Sequence, residues 1–154
     1  MNNILFFLMP KAMCAYLYDD YTIRQALEKM EAAGYAAIPI LNRRGEYRGT
    51  LTEGDILWGL KKYHGLDLEA AEDVPISSFA HKRDYKAVTV STSMDQLIEA
   101  AMNQNFVPVV DDRGMFIGIV RRQAIIRYCY DKTRAEQPAA KPARRREMTS
   151  AAAN

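Results

Sequence analysis

Ala37 to Leu57 reads AIPILNRRGEYRGTLTEGDIL, and 69 residues further on Phe106 to Ile126 reads FVPVVDDRGMFIGIVRRQAII. Pro39, Gly45 and Gly49 recur as Pro108, Gly114 and Gly118, and the apolar positions between them stay in step. Upstream, TIRQALEKM (Thr22 to Met30) is matched by SMDQLIEAAM (Ser93 to Met102), with two residues fewer before the proline in the second copy. Self-similarity at a fixed offset marks a tandem duplication.

Each copy reads as strand, helix, strand, strand, helix. Thr22 with Gln25, and Ser93 with Gln96, have the capping-box spacing, in which a hydroxyl and an amide side chain satisfy each other's orphan backbone N–H groups. Ile23, Ala26, Leu27 and Met30 then follow the spacing of one buried helical stripe, as do Met94, Leu97, Ile98 and Ala101. The continuously apolar runs Ala36 to Leu41 and Phe106 to Val110 suit strands buried on both faces. Turns at Asn42 to Glu46 and Asp112 to Met115 lead into strands Tyr47 to Leu51 and Phe116 to Val120. Gly45 is read as a turn residue and Gly49 as a close-packing position. The second helix of each copy is expected to bury Ile56, Leu57 and Leu60, matched by Ile125, Ile126 and Cys129.

The chain has 154 residues, 49% of them apolar and 26% charged, which suits a folded body with a core. Its 21 Lys and Arg against 19 Asp and Glu give a net charge of +2. From Ala135 onward lie Lys141, Arg144, Arg145 and Arg146 against Glu136 and Glu147, so the excess sits in that tail and the body is neutral. A neutral body argues against a nucleic-acid surface, which needs a clustered basic face. The tail has no apolar periodicity and is expected to be disordered and solvated. The run Ile4 to Met9 is too short to span a membrane and lacks a basic stretch before it. It is expected to pack as a short strand or helix on the body or on a second subunit. Cys14 and Cys129 have no metal or disulfide spacing and read as reduced thiols, Cys129 as a core residue. A helical stretch at Leu66 to Glu72 and a turn led by Pro75 are expected between the copies.

No catalytic constellation emerges. His64 and His81 stand in or near the polar connector without partners, no phosphate-cradling glycine loop exists, and no metal set can be named, so no enzyme is expected. Two features could carry binding. Pro39 and Pro108 cannot donate to a ladder, which puts them at an edge or interruption of a sheet and leaves backbone groups of Ala37, Ile38 and Val107 unpaired. That arrangement suits a flat heterocycle, or only protects an edge strand. Thr52-Glu53-Gly54-Asp55 opens the second helix of copy one as an acidic capping box. Alternatively Asp55 accepts from ribose hydroxyls while Thr52 and the helix amides meet a phosphate. Copy two has Arg121 and Ala124 at these places, with Arg122 adjacent, so it offers cations in place of the carboxylate.

With the duplication, Gly34-Tyr35-Ala36-Ala37-Ile38-Pro39 and Gly49-Thr50-Leu51-Thr52-Glu53-Gly54-Asp55 resemble the motifs of a cystathionine-β-synthase (CBS) domain pair, the Bateman module, over about Lys11 to Tyr130. Copy two keeps Phe106 to Pro108 and Gly118 but lacks the terminal Thr and Asp. The resemblance implies an α+β fold of two β-α-β-β-α repeats related by a pseudo-two-fold axis, and a homodimer. The corresponding division is an N-terminal apolar segment (1–10), repeat one (11–64), a connector (65–85), repeat two (86–134) and the tail (135–154). It also implies a cytoplasmic, non-catalytic regulator without a cofactor, binding AMP, ADP or ATP, or else cyclic di-AMP, and signalling to an effector protein. Carried over by position, Asp55 holds ribose, Thr52 a phosphate or ribose oxygen, Tyr35, Ala36, Ala37, Ile38 and Pro39 the adenine, with Ala15 in the same cleft. Arg121 and Arg122 approach the phosphates. A second, weaker pocket is expected around Lys86, Phe106, Val107 and Pro108. The reading from another class is a scaffold module whose pockets have decayed.

Overall fold

The computed structural model describes residues 3–65, 67–79 and 85–137. Helices α1 (Ile23–Ala33) and α4 (Met94–Met102) start at Thr22 and Ser93 with reciprocal capping boxes, Gln25 N–H donating to Thr22 Oγ1 and Gln96 N–H to Ser93 Oγ. Each box settles two of the amides that a helix start leaves without intrahelical partners. β3 (Ala37–Leu41) pairs antiparallel with β4 (Tyr47–Thr52), and 69 residues on β6 (Phe106–Val110) pairs with β7 (Phe116–Arg121). The same irregularity recurs in both hairpins, between Ile40 and Leu41 and between Val109 and Val110.

With β2 (Leu17–Tyr18) the first hairpin makes a sheet of order β2-β3-β4; with β1 (Met9–Pro10) and β5 (Val88–Thr89) the second makes β1-β7-β6-β5. The second helices are α2 (Glu53–His64) and α5 (Arg122–Glu136). Period-two alternation divides each strand between two cores. Ile38 and Ile40 face α1 and α2 with Leu51 and Ile56; Val107 and Val109 face α4 and α5 with Leu97 and Ile125. Ala37 and Leu41 turn the other way and meet Phe106, Phe116 and Ile119 in a third core shared by the repeats. That double burial is why these strands carry no polar residue.

The segments before each repeat cross over. Ile4, on a 3-10 turn Ile4–Phe6, is buried in the core of repeat two, and Phe7 and Leu8 pack beside it. Ile76 and Phe79, after a short α3 (Leu68–Ala71), are buried in the core of repeat one. The Ile4 to Met9 run thus packs on the body. α3 is shorter than the expected Leu66 to Glu72 helix, and Leu66 itself lies outside the described residues.

Three expectations are corrected and a fourth, the edge or interruption at the prolines, is narrowed. β3 and β6 are interior strands, so the prolines are not at sheet edges: Pro39 pairs with Thr50 and Pro108 with Ile119. The interruption is on the other side, where the ladders with β2 and β5 begin only at Ile40 and Val109, one residue beyond each proline. Leu57 and Ile126 are not buried but 50% and 59% exposed. Of the two equivalent glycines it is Gly118 that packs closely, where a Cβ would collide with the Met9 carbonyl of β1; at Gly49 a Cβ would meet nothing within 4 Å. Finally, α5 continues through Glu136, past the expected start of the tail at Ala135. The remainder of the tail, with its basic run, and His81 lie outside the described residues, as does the side chain of His64.

Candidate functional site

Thr52 ends β4 and caps α2, which places both members of the Thr-x-x-Asp motif where strand turns into helix. The Thr52 amide donates to Asp55 Oδ2 and the Asp55 amide to Thr52 Oγ1, each at 3.0 Å. The structural reading of the motif is therefore realised in full, and Asp55 is 5% exposed. Its backbone position follows from the preceding pairing: the Glu53 amide donates to Ala36 O at 3.0 Å, joining the helix start to the strand entry.

The capping box also forms one wall of a cavity of about 590 Å³. Gly54 and Trp58 complete that wall; Asn103, Asn105 and Arg122 face it from repeat two, and Tyr85 from the end of the connector. Tyr85 is fixed by its ring packing on Phe106 at 5.3 Å between centroids and by the Asn105 amide, which donates to its hydroxyl at 3.4 Å. Arg122 donates through Nε to the carbonyls of Ala101 (2.9 Å) and Gln104 (2.8 Å), tying the end of α4 to the start of α5. Part of its guanidinium is thereby committed to backbone.

A second cavity of about 540 Å³ adjoins the first, with Asn105 in the walls of both. Tyr35, Ala36 and Ala37 line it from repeat one, and Phe106 and Arg121 from repeat two. Arg121 makes no side-chain cap to α5 and is exposed. Lys86 lines a separate groove of about 760 Å³ between β5 and α4. There the buried Gln104 side chain accepts from the Lys86 amide at 2.8 Å and donates to the carbonyls of Lys86 and Phe106 at 3.2 Å.

The motif residues are thus distributed over neighbouring walls. Thr52, Asp55 and Arg122 meet in one cavity; Tyr35, Ala36, Ala37, Arg121 and Phe106 meet in the next. Ile38 and Val107 are fully buried in the cores of their own repeats, and Pro39 and Pro108 are buried in the strands behind these walls. Ala15 packs on the core of repeat one and its amide donates to the Tyr35 hydroxyl at 3.5 Å. Trp58, Tyr85 and Asn105 are additions that sequence reasoning missed. Trp58 had a usable signal, since it stands three residues after Asp55 and so on the same helical face. Tyr85 arrives from the end of the connector and Asn105 from the other repeat, and they had none.

A model of the CBS domain family matches residues 12–62 and 73–131. No curated protein matches the chain. Among solved structures, a CBS domain-containing protein of unknown function from Bacillus anthracis is 22% identical, with a TM-score of 0.78 over 86% of this chain and 95% of that one. The Listeria monocytogenes CbpB protein, solved in complex with c-di-AMP, is 18% identical with a TM-score of 0.76 over 88% of this chain and 100% of its own. CBSX2, solved in complex with AMP, is 18% identical with a TM-score of 0.69 over 86% of this chain and 99% of its own. At these identities the structural likeness speaks for the fold. Among the described residues no helix is long and apolar enough to cross a membrane.

Proposed function

The chain belongs to the CBS domain family, its two repeats matching most of its length, and from that premise we propose that it is a non-catalytic regulatory sensor that binds an adenine nucleotide between the repeats. The observation that carries this reading is the cavity walled by Thr52 and Asp55 on one side and by residues of repeat two on the other. The Asp55 carboxylate stands on that wall with its Oδ2 accepting from the Thr52 amide, and a carboxylate is the acceptor type that ribose hydroxyls need. Adenine rests against Tyr35, Ala36 and Ala37, with Ile38 and Pro39 as the packed backing of that wall. Arg121 meets phosphate directly, while Arg122 does so with the guanidinium nitrogens its Nε leaves over. The Lys86 groove has no carboxylate equivalent to Asp55 and takes at most another part of a larger ligand.

A ligand that touches both repeats shifts their relative arrangement by its differential affinity for the two states. The output is read by an effector protein in the cytoplasm. A homodimer forms through α2 and α5, whose equivalent residues Leu57 and Ile126 expose apolar surface at the same repeat position. A second reading, a cyclic di-AMP receptor, is favoured by the similarly folded CbpB, solved with that ligand. A ligand-free scaffold is the reading from another class.

The test is calorimetric titration of protein freed of carried-over ligand with AMP, ADP, ATP, cyclic di-AMP and S-adenosylmethionine, with Asp55→Ala and Asp55→Asn alongside. Asparagine keeps an acceptor for the Thr52 amide and so separates capping from ribose binding. Saturable heat lost in both variants supports the sensor; a stable dimer that binds none of the five supports the scaffold.

A further inference from the structure

Trp58 is the single tryptophan of the chain, and it leaves 47% of its surface exposed while lining the same cavity as Thr52 and Asp55. It is not a core residue displaced to the surface, because the buried face of α2 is served by Ile56 and by Gly59, against which Phe79 packs. Lys61 and Gly54 flank the indole. Lys61, one turn later on α2, holds its ammonium 5.5 Å from the ring centroid, a cation–π contact that orders the ring. Gly54, one turn earlier, has no side chain, and the indole edge lies where a Cβ would be 3.9 Å away. The indole is thus held beside the Asp55 carboxylate at the rim of a space large enough for a bound ligand.

We infer that the Trp58 indole is a stacking platform for the planar base of the ligand whose ribose Asp55 holds, the Tyr35, Ala36 and Ala37 wall of the adjoining cavity meeting the edge of that base, so that the paired cavities select nucleosides over sugar phosphates. The inference rests on the nucleotide reading above and adds a residue to it. A flat aromatic face is sequence-tolerant and apolar, and it supplies what the carboxylate lacks, attraction for the uncharged end of the ligand. The equivalent position in repeat two is Arg127, so only the half of the molecule that has the ribose carboxylate has this face.

Because the tryptophan is unique, its fluorescence reports on this site alone. AMP and cyclic di-AMP are titrated by fluorescence and by calorimetry into wild type, Trp58→Leu and Trp58→Phe, with ribose 5-phosphate as the ligand lacking a base. The expected result is saturable quenching by a nucleotide at the calorimetric midpoint, about tenfold weaker binding for Trp58→Leu, and substantial rescue by Trp58→Phe. Trp58 is 47% exposed and outside the buried cores, so the variants are expected to unfold near the wild-type temperature, which thermal denaturation checks. Nucleotide heat without a fluorescence change, equal quenching by ribose 5-phosphate, or a Trp58→Leu affinity no worse than that of Trp58→Phe overturns the stacking role and leaves the nucleotide reading standing. No heat with either nucleotide overturns the stacking role, and extension of that silence to the other nucleotides overturns the sensor reading as well.

Discussion

The Phe116 amide donates to the Gly45 carbonyl at 2.9 Å, joining the hairpin of one repeat to the turn of the other. The Tyr47 amide returns the bond to Gly114 at 3.2 Å, and 69 residues separate both the donors and the acceptors, so the exchange is its own image under the duplication. The rings of Tyr47 and Phe116 stack beside it, 6.5 Å apart at 24°. The pseudo-two-fold axis is therefore written in backbone hydrogen bonds, and the shared core of Ala37, Leu41, Phe106, Phe116 and Ile119 is built around it.

Truncating that core tests the joint. Phe116 is 3% exposed, and Phe116→Ala is expected to cost about 3–5 kcal/mol, measured by denaturant unfolding. Because the residue touches both repeats, the transition midpoint shifts as one cooperative step; two separated transitions would contradict a shared core.

The two equivalent glycines separate strain from collision. Gly49 and Gly118 have nearly the same φ, 153° and 155°, so alanine strains the backbone equally at either. At Gly118 the new methyl also strikes Met9 O, whereas at Gly49 it meets open space. Gly118→Ala is expected to be the more destabilising by about 1–3 kcal/mol, and to speed amide exchange around Met9, which Gly49→Ala leaves unchanged.

Capping and binding can be told apart by a matched pair. Thr52→Ala and Ser93→Ala each remove one capping hydroxyl and are expected to cost about 1 kcal/mol, a fall of roughly 3 °C in Tm for a chain of this size. Only Thr52→Ala is expected to weaken nucleotide binding in calorimetry, because Ser93 lines none of the cavities described.

Arg43 donates to both carboxylate oxygens of Asp20, at 2.7 and 2.9 Å. Those hydrogen bonds, more than its charge, hold the Asp20 carboxyl below the usual carboxylate value. A depressed folded-state value means the pair's stabilisation is present above the ordinary carboxylate range and is lost as pH falls through the lowered value. Arg43→Ala is expected to return Asp20 to the ordinary range in an NMR titration. The pair is on the surface, so global stability barely changes.

Cys14 donates weakly to the carbonyls of Met9 and Pro10, and burial raises its thiol pKa. The thiolate is the reactive form, so in a Cys129→Ser background alkylation of Cys14 near neutral pH is expected to be slower in the folded protein than in denaturant, and to accelerate only as pH climbs past the ordinary thiol range. Equal rates in the two states would contradict the burial.

What was legible in the sequence was local or repeated. The capping boxes at Thr22 and Ser93 need only four consecutive residues, and the hairpins were read twice over at one offset. Of the two places expected for Pro39, edge or interruption, the structure shows the second, because a missing N–H constrains one side of a strand: β4 pairs with the other side, and β2 starts too late to need the lost donor. Leu57 and Ile126 satisfied an apolar stripe, but periodicity identifies a face without saying what covers it. The Thr52–Asp55 wall was visible as a motif, whereas Tyr85 and Asn105 reach it only through the packing of one repeat on the other.

The crossing of the leading segments sets an order on synthesis. Ile4 is made before either repeat, yet its buried place lies among Leu97, Val107 and Ile125, which belong to the second repeat. While repeat one grows from the ribosome, the segment carrying Ile4, Phe7 and Leu8 has nowhere to dock. Repeat one in turn is completed by Ile76 and Phe79, which follow it in the chain. A nascent chain halted after α2 is consequently a half-finished object at both ends, and an excised single repeat is expected to need its partner's leading segment to become a folded unit.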